Sequence, residues 1–86
     1  RYLIVALKDD SEYSRRAAVE VLNEIADPRS IKDLLEALSD DDWWVRARAT
    51  DALAKIGGPR VVNAVLELIK DENEDIRRAA IEILNA

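Results

Sequence analysis

The chain repeats itself every 31 residues without a gap: Leu7-Lys8-Asp9-Asp10 returns as Leu38-Ser39-Asp40-Asp41 and again as Ile69-Lys70-Asp71-Glu72. Arg15, Arg46 and Arg77 fall in one column, Ala18, Ala49 and Ala80 in a second, and Leu22, Leu53 and Leu84 in a third. Pro28-Arg29 returns as Pro59-Arg60. A fixed period of this length means supersecondary units that cannot bury an apolar face alone and so stack on one another. The repeat thus predicts the architecture, and with it a binding scaffold as the class of function.

Within each unit the apolar residues recur at helical spacing. Val45, Ala49, Ala52, Leu53 and Ile56 form one amphipathic stripe, preceded by Asp41 and Asp42 as N-cap and first-turn charge. Gly57-Gly58 stops that helix, and Pro59 opens the next, whose stripe is Val62, Val65, Leu66 and Ile69. The other units read alike, and no alternation of the strand period persists. Six helices are predicted, at about 3–8, 12–26, 29–38, 43–56, 60–70 and 74–85. The expected fold is an all-α superhelix of about three two-helix units, covering 1–26, 27–57 and 58–86 as one domain. Two departures weaken the first unit: Ser14 stands in the column of Val45 and Ile76, and Ala26-Asp27 replaces the glycine pair.

Composition removes whole classes of chemistry. The chain of 86 residues has no cysteine and no histidine. A disulfide framework, a thiolate or imidazole metal site and a histidine-activated nucleophile are therefore excluded. No cofactor and no metal are expected. The net charge of −5 runs against a nucleic-acid footprint, and the longest apolar run, Leu3 to Leu7, is far too short for a membrane span. No leader segment is visible, so the cytoplasm is the default setting. An opening on Arg1 suggests a piece of a longer protein. With so few units and no polar capping repeat, Leu3, Ile4 and Leu7, or Ile76, Ile83 and Leu84, are expected partly uncovered, which allows end-to-end self-association.

An aspartate six residues before an arginine, then Ala-x-x-x-Leu-x-x-Ile, resembles the HEAT-like repeat of the phycobilin-lyase type. The matching stretch is Asp40 to Ile56, followed by Gly-Pro-Arg. The period is also similar to that of artificial alpha-repeat proteins patterned after that family. The resemblance implies an armadillo-type α-α solenoid and assigns its faces. Helices 12–26, 43–56 and 74–85 would line the concave side, and those opening on Pro-Arg would form the back. Candidate partner-binding residues on the concave face are then Tyr13, Arg16, Glu20, Trp43, Trp44, Arg48, Asp51, Lys55, Arg78 and Glu82.

Several of these residues carry competing readings. Asp9, Asp40 and Asp71 with Arg15, Arg46 and Arg77 are either paired catalytic groups or a structural ladder, each aspartate capping its helix and bonding the arginine of a neighbouring unit. Presence in every unit favours the ladder. Trp43 and Trp44 point about 100° apart, so both cannot face one core. Either one covers the seam between units, or one is an exposed anchor of the kind that dominates interfaces, with Trp44 favoured because Tyr13 shares its column. Arg16 and Arg78 can pair with Glu20 and Glu82 at i,i+4 spacing. The run Asp40-Asp41-Asp42 reads as solvated, and Gly57-Gly58 lacks any phosphate-loop pattern.

The functional expectation is a non-catalytic scaffold that binds a protein or peptide in its concave groove, with no nucleic acid and no membrane. The alternatives are a subunit or domain of a larger enzyme, lyase-like or signalling, and a structural spacer. A HEAT-type iron hydroxylase fails for want of histidine.

Overall fold

The computed structural model describes residues 5–86, and helices are its only regular elements. Five α-helices follow one another: α1 (Glu12–Ile25), α2 (Ile31–Ala37), α3 (Trp43–Ile56), α4 (Gly58–Leu66) and α5 (Glu74–Leu84). Single 3-10 turns, Pro28–Ser30 and Glu67–Lys70, lead into α2 and extend α4. Val5 and Ala6 are helical, while the start of the helix predicted at 3–8, with Leu3 and Ile4, lies outside the described residues. The predicted helix at 29–38 is thus split. Pro28 sets the tight first turn, the Asp27 carboxylate accepts the Arg29 N–H at 2.9 Å, and the Ser30 hydroxyl donates to the Asp27 carbonyl at 2.7 Å.

Helix α3 is the centre of the molecule, packed on α1, on α2 and on α5. The long helices α1, α3 and α5 make one layer; α2 and α4 with its final turn make the other. The core runs between them. Leu34, Leu38, Leu53, Val19, Val45, Val61 and Val65 are fully buried. Each such side chain contributes about 2 kcal/mol by leaving water. Val45, Ala49, Ala52 and Leu53 are all buried on one stripe of α3, as their spacing predicts, and Ile76, Ala80 and Ile83 repeat it on α5.

The helix stops differ as their residues do. Gly57 ends α3 with φ +57° and ψ −158°, and Gly58 follows at φ +81°, both outside the comfortable range of a residue with a Cβ. Ala26 ends α1 in the left-handed conformation (φ 51°, ψ 47°) despite having one.

The loop before each long helix is built the same way three times. The carboxylates of Asp9, Asp40 and Asp71 accept the backbone N–H two residues on, from Ser11, Asp42 and Asn73, each at 2.8 Å. Ser11, Asp42 and Asn73 are themselves the N-caps. From one turn inside the helix, Arg15, Arg46 and Arg77 donate back to the two loop carbonyls, Arg46 to those of Asp40 at 2.7 Å and Asp41 at 3.0 Å.

This corrects the expected ladder. The aspartate column braces the turn rather than capping the helix, and the arginine column chiefly clamps its own loop. Among the described residues the neighbouring-unit bond forms at one junction, where Arg15 reaches Asp40 at 2.9 and 3.3 Å. A charged donor satisfying two loop carbonyls makes each loop rigid, which is a local task every unit needs.

Two further expectations change. Leu7 is buried, and so are Ile76 and Ile83, the last two because their stripe faces back onto α3, while Leu84 is partly uncovered as expected. The aliphatic residues left open among the described residues are instead Val5, Val21, Ile25, Val62, Leu66, Ile69 and Ile81. Of the stripe expected at Val62, Val65, Leu66 and Ile69, only Val65 is buried, with Val61 beside it.

Candidate partner-binding face

Every residue proposed for binding lies on α1, α3 or α5. Trp44 sits at the seam of α1 and α3, half-buried against the core. Two guanidinium groups lie over its ring, that of Arg16 at 5.9 Å and that of Arg48 at 5.7 Å from the centroid. Each arginine is held in turn. Arg16 makes a two-point bond to the Asp42 carboxylate at 2.6 and 2.8 Å. Arg48 reaches back to Glu20 on α1 at 3.0 Å and along its own helix to Asp51 at 2.9 Å. An aromatic ring, two arginines and three carboxylates thus tie α1 to α3 as one network.

Asp42 is the most constrained member. It is buried, it caps α3 by accepting the Trp44 N–H at 3.4 Å, and its carboxyl is lowered from 3.8 to about 2, first by the hydrogen bond from Arg16. Asp40 is largely covered as well, paired with Arg15. The reading of Asp40-Asp41-Asp42 as a solvated run therefore holds for Asp41 alone, which is exposed. Cross-helix partners withdrew the other two from water.

The tryptophans take opposite roles to those favoured from sequence. Trp43 is the exposed one at 63%, and Trp44 fills the seam. Tyr13, its column mate, is exposed at 76%, and Ala17 stands in the column of Arg48. The expected i,i+4 pairs are also replaced: Arg16 prefers the buried Asp42 over Glu20, and Arg78 bonds Glu74 at 2.9 Å instead of Glu82.

Asn23 is the residue that sequence reasoning missed. It is fully buried between α1 and α3, donating its side-chain amide to the Arg48 carbonyl at 2.9 Å. Its amide oxygen accepts the Lys55 ammonium, which also reaches its backbone carbonyl at 3.5 Å. An asparagine on an otherwise apolar helix face next to Leu22 is the one signal that could have flagged it.

An open cleft of about 570 Å³ lies at the loop edge among Leu7, Lys8, Arg15, Asp33, Glu36 and Asp40. Its charges are mutually engaged, Lys8 with Asp33 at 3.5 Å and Glu36 at 3.3 Å, and Arg15 with Asp40. Among the described residues no group of carboxylates is gathered to hold a metal ion, and no helix is long and apolar enough to cross a membrane.

Long helices laid side by side in one register, backed by short ones, define an α-α superhelix of the repeat type. A family model for HEAT repeats matches residues 1–85, and the chain belongs to the HEAT-repeat family. A search of the curated proteins finds no match.

Proposed function

We propose that the chain is a non-catalytic interaction module that holds a peptide or protein along the outer face of α1, α3 and α5. HEAT repeats commonly serve as such scaffolds. The observation that carries the reading is the pair of large aromatics, Tyr13 and Trp43, left in water beside a network that is otherwise fully tied down. Exposed aromatic side chains on a rigid base lose little entropy on binding and are typical interface anchors. Arg16, Arg48 and Arg78 are each engaged in an ion pair, so no basic stripe is available to nucleic acid. The module needs no oxidising compartment, and the cytoplasm is its proposed setting.

The test is affinity capture from a cell lysate with the wild-type chain beside a Tyr13→Ala/Trp43→Ala variant checked for helical content and melting temperature. A protein retained by the first and lost by the folded second supports the reading. Identical profiles would instead favour a spacer, or a piece of a larger lyase-like or signalling enzyme whose contacts lie elsewhere.

Self-association end to end is a second reading, and the repeat register supports it. Val19 and Thr50 are buried at 0% and 5%, whereas their register mate Ile81 is 52% exposed; Leu38 is buried at 1%, whereas Ile69 is 37% exposed. The surface that each unit covers on its predecessor is open at α4 and α5.

A further inference from the structure

The charge on the proposed binding face is one-sided in a way the formal count of arginines conceals. Each cation on it is already engaged: Arg16 by Asp42, Arg48 by Glu20 and Asp51, Arg78 by Glu74, and Lys55 by the amide oxygen of Asn23. The carboxylates of Glu12, Glu24, Asp75 and Glu82 are exposed and make no ion pair or hydrogen bond among the described residues. Four cations and eight carboxylates share the face, so it carries a charge of −4 within a chain of −5. An acidic partner would meet four unpaired carboxylates and, to receive it, only the ammonium of Lys55, whose acceptors are the neutral oxygens of Asn23.

We infer that the partner, on the interaction reading above, is a basic segment, rich in lysine or arginine, lying across α1, α3 and α5. The uncommitted carboxylates on α1 and α5 draw in its ammonium and guanidinium groups. Trp43 and Tyr13 pack its aliphatic stems and offer ring faces to its cations. This arrangement reverses the role expected for the arginines: they hold the face together, and the partner supplies the free positive charge. Opposed potentials of this kind steer association and reject partners of the wrong sign.

The experiment is a titration of the purified chain, followed by tryptophan fluorescence from the exposed Trp43 and by calorimetry. The ligands are a lysine/arginine-rich peptide, a glutamate-rich peptide of equal length and a single-stranded RNA. The basic peptide is expected to bind saturably, and to weaken when salt is raised from about 50 mM to about 500 mM. Glu12→Gln/Glu24→Gln/Asp75→Asn/Glu82→Gln should weaken it roughly tenfold or more, since each exposed ion pair contributes a factor of about two. Because Glu12 and Asp75 also lie in first helical turns, Glu24→Gln/Glu82→Gln alone serves as the check on folding and should give roughly a fourfold loss. Unchanged affinity in both folded variants, or equal binding of the glutamate-rich peptide or the RNA, would overturn the inference. A captured protein that depends on Tyr13 and Trp43 but binds through no basic segment would overturn it too, while leaving the interaction reading standing.

Discussion

Arg16 and Asp42 show how much of this molecule turns on single side chains. Twenty-six positions apart in the chain, they meet at 2.6 Å, and the pair caps α3, covers Trp44 and joins two helices at once. The consequence for acid stability has a definite sign. A carboxyl held at about 2 in the folded chain, against an ordinary value of 3.8, takes up its proton later than the unfolded chain does. The stabilisation is therefore complete above about pH 4 and is lost as the pH falls from there towards 2. Thermal melts across that range should show a steep fall in melting temperature for the wild type. In Arg16→Gln the melting temperature should be lower at neutral pH and the acid fall shallower, because Asp42 has lost the donor that held its carboxyl down. An unchanged acid limb in that variant would show that the pair does not set it.

At the scale of the element, the ends of helices are where the three units differ most. The α1 stop places Ala26 at φ 51°, a conformation that costs a residue with a Cβ about 1 kcal/mol, whereas glycine occupies the same column after α3. Ala26→Gly should accordingly stabilise the chain by roughly 0.5–1 kcal/mol, read as a higher denaturant midpoint with an unchanged slope. A loss of stability would mean that the unfolded-state entropy added by glycine outweighs the relief. The helices themselves were legible in the residues: the expected 12–26 and 43–56 appear as Glu12–Ile25 and Trp43–Ile56. Caps, glycines and an apolar stripe act within a few residues and leave a local signature. The 3-10 turn at Pro28–Ser30 was not legible, because whether a proline-led turn tightens depends on the buried seat that Ser30 finds under it.

Across the whole molecule, the repeat register makes each internal junction a template for the open face beyond it. Val62, Ile69 and Ile81, exposed on α4, its final turn and α5, occupy columns that are covered in the preceding units, at Ile31, Leu38, Val19 and Thr50. If copies of the chain can supply that cover, sedimentation velocity should show association that grows with protein concentration. Ile69→Asp/Ile81→Asp should abolish it while leaving helical content intact, since both side chains already meet solvent. A wild type that stays monomeric at every concentration would remove the end-to-end reading without touching the outer face of the long helices.

Periodicity, capping and composition were enough to specify an all-α repeat superhelix, the stripe of core residues on α3 and the absence of histidine and cysteine chemistry. All of these are properties of the chain taken a few turns at a time. Which tryptophan faces water, which carboxylate Arg16 chooses and where Lys55 finds its acceptor in Asn23 were decided only when α1 and α3 came into register. Those partners lie 26 and 32 residues apart. No local spacing encodes how two helices settle against one another, and on that settling depends which charges are consumed inside the molecule and which are left for a partner.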